Sequence, residues 1–313
     1  MPSLTELLLK PGVDSNLVKR LHEKRRLLET GDDSHKDIKT ALIVSGGGMR
    51  GAYSTGITAG LEELGYGGIF DNAVGISAGA CAAAYLLAGQ AAVGPSVYYE
   101  DLPNRQFINL SRPSSIMDIG FLEHVFRDVK PLNQRAVRLS RTEFYIGLTE
   151  LATGNGVYMN VSEKTELDII SVLMTSSAIP GVVKQREAID GVLYVDGTTG
   201  CTNPIDYAVD SLGATDILVV LNYPPFGEDD KLPISERLLS KLLLRNHPAE
   251  LRNKHLSRLS RHNFKASKNY ADTVNIGVIC PTKQFVSAFS KDSQALKKLS
   301  EDATAQVKSI FKS

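Results

Sequence analysis

KTALIVSGGGMRGAYSTGITAGLEELGYGGIFDNAVGISAGACAAAYLLAG, residues 39–89, decides how this chain folds. The stretch opens on a short apolar run, 39–45, that stops at glycines and reads as a buried strand. Helical sequence follows from about Ala52 to Leu64, then a second strand over 71–77 and a second helix over 78–89. Strand, helix, strand, helix in close succession predicts a parallel sheet covered by helices. From Ala73 to Gly94 there is no charged residue, a length that could cross a bilayer. The run is mostly Ala and Gly, however, and contains Ser77 and Gln90. It reads as a strand entering a tightly packed buried helix.

Two glycine-rich signals lie at the strand-to-helix junctions. The first is Gly46-Gly47-Gly48-Met49-Arg50-Gly51. Glycines let backbone approach a ligand closely, and the free N–H groups at a helix start favour negative charge. A dinucleotide-binding reading of this loop requires an acidic residue at the end of the second strand. Asp71 stands at the start of that strand and Ser77 at its end, so the dinucleotide reading fails. The second signal, Gly75-Ile76-Ser77-Ala78-Gly79, is G-x-S-x-G. A nucleophile elbow needs such small neighbours because its turn is tight, and it presents the serine oxygen at a helix N-terminus. One βα unit separates the two signals, which places them at the ends of adjacent strands. Acyl transfer requires that pairing: backbone donors for a developing oxyanion beside a nucleophile.

Outward from this stretch the pattern is mixed. Residues 1–38 are polar and charge-rich, with helical sequence in LVKRLHEKRRLLE. Their basic run (Lys19, Arg20, Lys24, Arg25, Arg26) reads as a solvated helix face. Asn155-Gly156 and Asp190-Gly191 mark two hairpins, with helical sequence at 166–174 between them. TDILVVLNY (215–223) and VNIGVIC (274–280) read as further buried strands. Leu296, Leu299, Ala303, Val307 and Ile310 recur at helical spacing near the C-terminus. The expected division is an N-terminal helical extension over 1–38, a hydrolase domain over 39–285, and a C-terminal helix over 286–313 packed on it.

The chain has 313 residues, 42% hydrophobic and 22% charged, enough for a sizeable core. Lys+Arg and Asp+Glu are equal at 35 each, which argues against a nucleic-acid binder. The cysteines, Cys81, Cys201 and Cys280, are odd in number and far apart, so neither a disulfide framework nor a structural zinc site is read from them. A cytoplasmic protein with no metal and no cofactor is expected. Between Arg237 and Lys268 stand nine Lys/Arg and one acid, Glu250. With Leu238, Leu239, Leu242 and Leu243 they suit either a solvated helical hairpin packed over the sheet or a peripheral surface for anionic lipid. Nothing in the sequence sets an oligomeric state.

A serine nucleophile needs a base. Asp196-Gly197 ends the apolar run VLYVDG and supplies a carboxylate. Of the six histidines, His22 and His35 lie in the extension, His247, His255 and His262 in basic helical sequence, and His124 elsewhere; none stands out as a partner. GGGMRG, GISAG and VDG, in that order, resemble the patatin-like phospholipases. Ser176-Ser177-Ala178-Ile179-Pro180 and Asn203-Pro204 are similar to family segments around the aspartate, and the resemblance covers roughly 39–223. One departure is Thr198, where the family usually has Gly or Ala.

The resemblance implies a three-layer α/β/α fold with a central, mostly parallel sheet, and a lipid acyl hydrolase acting on carboxylic esters. It further implies a Ser77–Asp196 dyad without histidine, working through an acyl-enzyme, with Gly46 to Gly51 as the oxyanion loop and Gly75, Gly79 and Gly197 supporting the turns. Two other readings stand beside it: an α/β-hydrolase esterase with a Ser-His-Asp triad, and a catalytically silent lipid-binding or regulatory protein of the same fold.

Overall fold

The computed structural model describes residues 12–312, apart from 113–114, 164–165, 184–187, 225–243, 259–269, 271–272, 284–285 and the side chains of 256–258. Its elements in chain order begin with α1 (Ser15–Thr30), β1 (Thr40–Val44), α2 (Gly51–Glu63), β2 (Asn72–Ile76) and α3 (Ala78–Leu87). A helical turn at Gly94–Ser96 runs into a π-helical segment, Val97–Asp101. There follow α4 (Ile119–His124), α5 (Gln134–Leu139), β3 (Glu143–Glu150), β4 (Gly156–Asn160), α6 (Ile169–Ser176), β5 (Tyr194–Asp196) and α7 (Pro204–Asp210). The last are β6 (Asp216–Val220), α8 (Ala249–Arg258), β7 (Asn275–Ile279) and α9 (Ser293–Phe311).

The strands form one sheet in the order β4-β3-β2-β1-β6-β7, with β5 paired to β3 off that path. β1, β2, β3, β6 and β7 run parallel, and β4 and β5 are antiparallel. Parallel strands are covered on both faces, which is why β1 and β6 are buried throughout and, after Thr40 and Asp216 at their starts, apolar. Alternate side chains enter two cores. Leu42, Val44, Leu218 and Val220 join α1, α2, α3 and α9 on one side. Ala41, Ile43, Ile217 and Val219 meet Ile205 and Ala208 of α7 on the other. This is a three-layer α/β/α fold with a mostly parallel sheet, as expected. Every residue of α3 is buried, so the uncharged run is interior packing. No helix among the described residues is long and apolar enough to cross a membrane.

Three expectations change in detail. The first hairpin does not turn at Asn155-Gly156. The Glu150 N–H bonds the Asn155 carbonyl, and the left-handed residue in the loop is Gly154 at φ 66°. The basic run of α1 is not simply solvated. Arg20 forks onto Asp216 at 2.5 and 2.8 Å. Lys24 is fully buried, donating to the His35 and Ile38 carbonyls and to both oxygens of Asp71. In α9 the last buried position is Phe311, with Ile310 only partly covered. Of the basic segment 237–268, residues 237–243 and 259–268 lie outside the described residues, and 244–258 carries α8.

Candidate active site

β3 sets the geometry. Its residues 143–147 pair with β2, while 145–149 pair with β4, so those two strands take opposite edges. β5 pairs with residues 148–150, which overlaps the β4 pairing and leaves β5 the β2 edge. β5 therefore continues the line of β2 head-on, with Ile76 opposite Gly147 and Asp196 opposite Leu148. The residue after Ile76 is Ser77. Residues far apart in the chain thus meet at one point on a single strand.

Ser77 occupies φ 54°, ψ −127°, a conformation rare for any residue but glycine. The strain is tolerated because the turn is held on both sides. The Ser77 N–H donates to Ser176 Oγ at 2.9 Å, and that hydroxyl donates on to the Gly147 carbonyl at 2.7 Å. Close packing of α3 over β1 requires Gly79, since a Cβ there would overlap the Val44 carbonyl. The Ser77 side chain lies against the carboxylate of Asp196, which is 2% exposed, close enough to favour its ionised form. Burial pushes Asp196 above the usual carboxylate range; hydrogen bonds from Thr198 and Ser77 oppose that shift. Thr198 gives both its backbone N–H, at 2.7 Å, and its side chain to this carboxylate. The departure at Thr198 thus adds a donor.

The glycine loop stands beside the elbow. The Met49 N–H donates to the Ala288 carbonyl at 3.0 Å, Arg50 N–H to Gly47, and Gly51 N–H to the Gly48 and Met49 carbonyls. Those three amides are in use. Among the described residues the amides of Gly46, Gly47, Gly48 and Ala78 meet no acceptor, and Gly48 adopts φ 57°. Asn222, just past β6, fixes the loop. It donates to the Ser45 carbonyl at 2.7 Å and accepts the Ser54 N–H at 3.0 Å. Asn222 and Ala288 are absent from the sequence reading. A polar residue closing the apolar run of β6 was the available signal for Asn222; Ala288 offered none.

A pocket of about 350 Å³, its mouth included, opens at Ser77, Gly48 and Ala78. Its walls are apolar: Leu102, Phe107, Met117, Ile119, Leu122 and Ile179 among them. Cys81 also lines it, its thiol pushed up to about 12 by burial and so inert as a nucleophile. No described histidine bonds Ser77 or Asp196. His255 Nδ1 of α8 lies 2.8 Å from Thr199 Oγ1, and His262 is outside the described residues. No group of three or more His, Cys, Asp or Glu able to hold a metal occurs among the described residues.

Within this α/β/α fold a serine on a strained strand-to-helix turn thus stands against a buried carboxylate and beside open amides. The family model for "Patatin-like phospholipase" matches residues 42–209, more than half of the chain, and the chain belongs to that family. It is 26% identical over 192 residues to the uncharacterized protein YjjU of Escherichia coli K12, covering 59% of this chain and 52% of that protein. The chain therefore spans about half the length of this curated relative. Among solved structures it is similar to VipD of Legionella pneumophila, with 14% identity and a TM-score of 0.46, over 86% of this chain and 66% of that one. It is also similar to ExoU of Pseudomonas aeruginosa in its complex with SpcU, with 16% identity and a TM-score of 0.33, over 72% and 52% of the two chains.

Proposed function

We propose that this chain is a lipid acyl hydrolase in which Ser77 and Asp196 act as a dyad through an acyl-enzyme. The observation that supports it most is the strained Ser77 set against the buried carboxylate of Asp196 at the mouth of an apolar pocket. The apolar lining of the pocket suits an acyl chain, and family membership points to lipid esters. Ser77 Oγ attacks the ester carbonyl carbon while Asp196 takes its proton, and the displaced electron pair moves onto the carbonyl oxygen. The open amides of Gly48 and Ala78 receive that charge, with Gly46 and Gly47 beside them. Collapse expels the alcohol, which takes the proton from Asp196. Water then attacks the acyl-enzyme with Asp196 again as base, and the proton returns to Ser77. A carboxylate is a weak base for an alcohol, but burial has raised its basicity, and transfer coupled to attack lowers the demand further.

The test is to treat the protein with a serine-reactive organophosphonate and locate the adduct by mass spectrometry. Labelling is expected at Ser77, and Ser77→Ala is expected to lose both label and several orders of magnitude of esterase activity. An adduct at another serine would sink the reading. A peripheral lipid surface at 237–268 and a cytoplasmic location belong to the same proposal. Reversing several of those Lys/Arg is expected to weaken co-sedimentation with anionic vesicles; unchanged pelleting counts against the surface.

A further inference from the structure

The wall of the pocket holds two hydroxyls that the proposed chemistry leaves unused: Ser177, paired with the Cys81 thiol, and Tyr98. Tyr98 sits in the π-helical segment Val97–Asp101 and lines the pocket together with Gly48, Ser77 and Ala78. It is only 5% exposed. Buried tyrosine hydroxyls ordinarily find a partner. Tyr53 gives its proton to Gln306 at 2.7 Å, and Tyr85 to the Lys130 carbonyl at 2.6 Å. Tyr98 Oη has no hydrogen-bond partner among the described residues.

Its position is specific. A Cβ on Gly51 would fall 2.5 Å from Tyr98 Oη and 2.8 Å from Ala78 Cβ. The hydroxyl therefore stands where Gly51, at the end of the glycine loop, meets the start of α3, in the same pocket as Gly48 and Ala78. Burial, helped by Cys81 and Tyr85, pushes its ionisation well above that of a free phenol, so it stays a donor throughout the range in which esters are assayed. A π-helical segment inserts an extra residue into a helix and re-aims its side chains, and such segments are frequent at functional sites.

From the unpartnered hydroxyl, the open amides and the shared pocket we infer that Tyr98 donates a hydrogen bond to the carbonyl oxygen of the bound ester, and holds the negative charge formed there. The inference rests on the acyl-enzyme reading of Ser77 and adds a side-chain donor to its backbone amides. A donor fixed before reaction, in a pocket poor in water, stabilises the developing charge without having to reorganise.

The experiment compares full-length wild type, Tyr98→Phe and Ser77→Ala with a short-chain p-nitrophenyl ester and a fluorophosphonate. Tyr98→Phe is expected to lower kcat by roughly 10²- to 10³-fold, as loss of one oxyanion donor does. KM should stay within about twofold, because the bond strengthens in the transition state rather than on binding. Phosphonate labelling at Ser77 should slow in parallel. The thermal midpoint should not fall, since the hydroxyl has no internal partner to lose. A kcat within about twofold of wild type overturns the inference, and so does a raised KM with unchanged kcat. Early melting of Tyr98→Phe also overturns it, by showing that the hydroxyl serves the fold. An active Ser77→Ala would strike the nucleophile reading itself. An inactive Ser77→Ala beside a fully active Tyr98→Phe would strike Tyr98 alone.

Discussion

Ser77 holds a backbone conformation that costs a non-glycine residue on the order of 1–3 kcal/mol. Ser77→Ala retains that strain and should melt near wild type. Ser77→Gly relieves it and should be more stable by about 1 kcal/mol, while equally inactive; a glycine variant no more stable than alanine would show the turn to be relaxed. Asp196 makes the opposite demand. Its folded pKa lies above the unfolded value, so the folded state prefers the protonated acid, and stability is lost as pH rises through the folded pKa. Asp196→Asn should therefore melt higher than wild type at neutral pH, with the gain vanishing below the unfolded carboxylate range. If Asp196 is the base, the same variant should lose nearly as much activity as Ser77→Ala. A fully active Asp196→Asn would return the question to the histidines. Thr198 tunes this group by donating to its ionised form. Thr198→Val should shift the acid limb of kcat/KM to higher pH, and Thr198→Ser should leave it in place; an unmoved limb in the valine variant refutes the coupling.

At the scale of elements, the glycine motifs were legible because they mark places where backbone must turn or approach closely, and those constraints leave a local trace. Ser77, its elbow and the loop before α2 fall into this group. What surrounds them was not legible. The pocket walls come from a stretch the sequence reading left unassigned, around the π-helical segment and α4. Single apolar residues such as Phe107 and Met117 announce burial without saying against what. β5 is three residues long, too short for its alternation to be seen, yet its pairing to β3 places Asp196. The seam between α2 and α9 is similar. Gly56 leaves no room for a side chain against the Ser300 carbonyl, and Thr304 Oγ1 donates to the Gly56 carbonyl at 2.8 Å. Gly56→Val should cost about 1–3 kcal/mol by overpacking and lower activity, because α2 begins at the glycine loop. A chemical denaturation midpoint equal to wild type would show that the seam can open freely.

Across the whole molecule, the ion pairs of α1 and the Ser77 elbow occupy opposite ends of the sheet. Ser45, Ser77 and Asn222 stand at the C-terminal ends of β1, β2 and β6, where parallel sheets bind ligands. Lys24, Asp71, Arg20 and Asp216 stand at the other end and tie α1 beneath the same strands. A run of basic residues read by composition alone suggests solvent; three-dimensional pairing with Asp71 and Asp216 is not visible in one segment. Lys24→Met should leave Asp71 and two carbonyls without their cation and cost about 3–5 kcal/mol. Activity per folded molecule should stay unchanged, and a specific loss of kcat in the folded variant would contradict the separation.

The bond from Met49 to Ala288 joins the first sixth of the chain to its last tenth. Its consequence concerns synthesis. A ribosome delivers the elbow and its loop first, and the clamp on that loop emerges about two hundred residues after Ser77. Contacts of such long sequence separation form late, after much chain entropy has been spent. A nascent chain stalled before Ala288 should therefore carry Ser77 without a set oxyanion loop, and fluorophosphonate should label it slowly or not at all. Release of the remaining residues should switch labelling on. On the proposed activity, the timing of translation would keep an unfinished chain from cleaving esters, with no separate inhibitor; prompt labelling of the stalled chain would refute that safeguard.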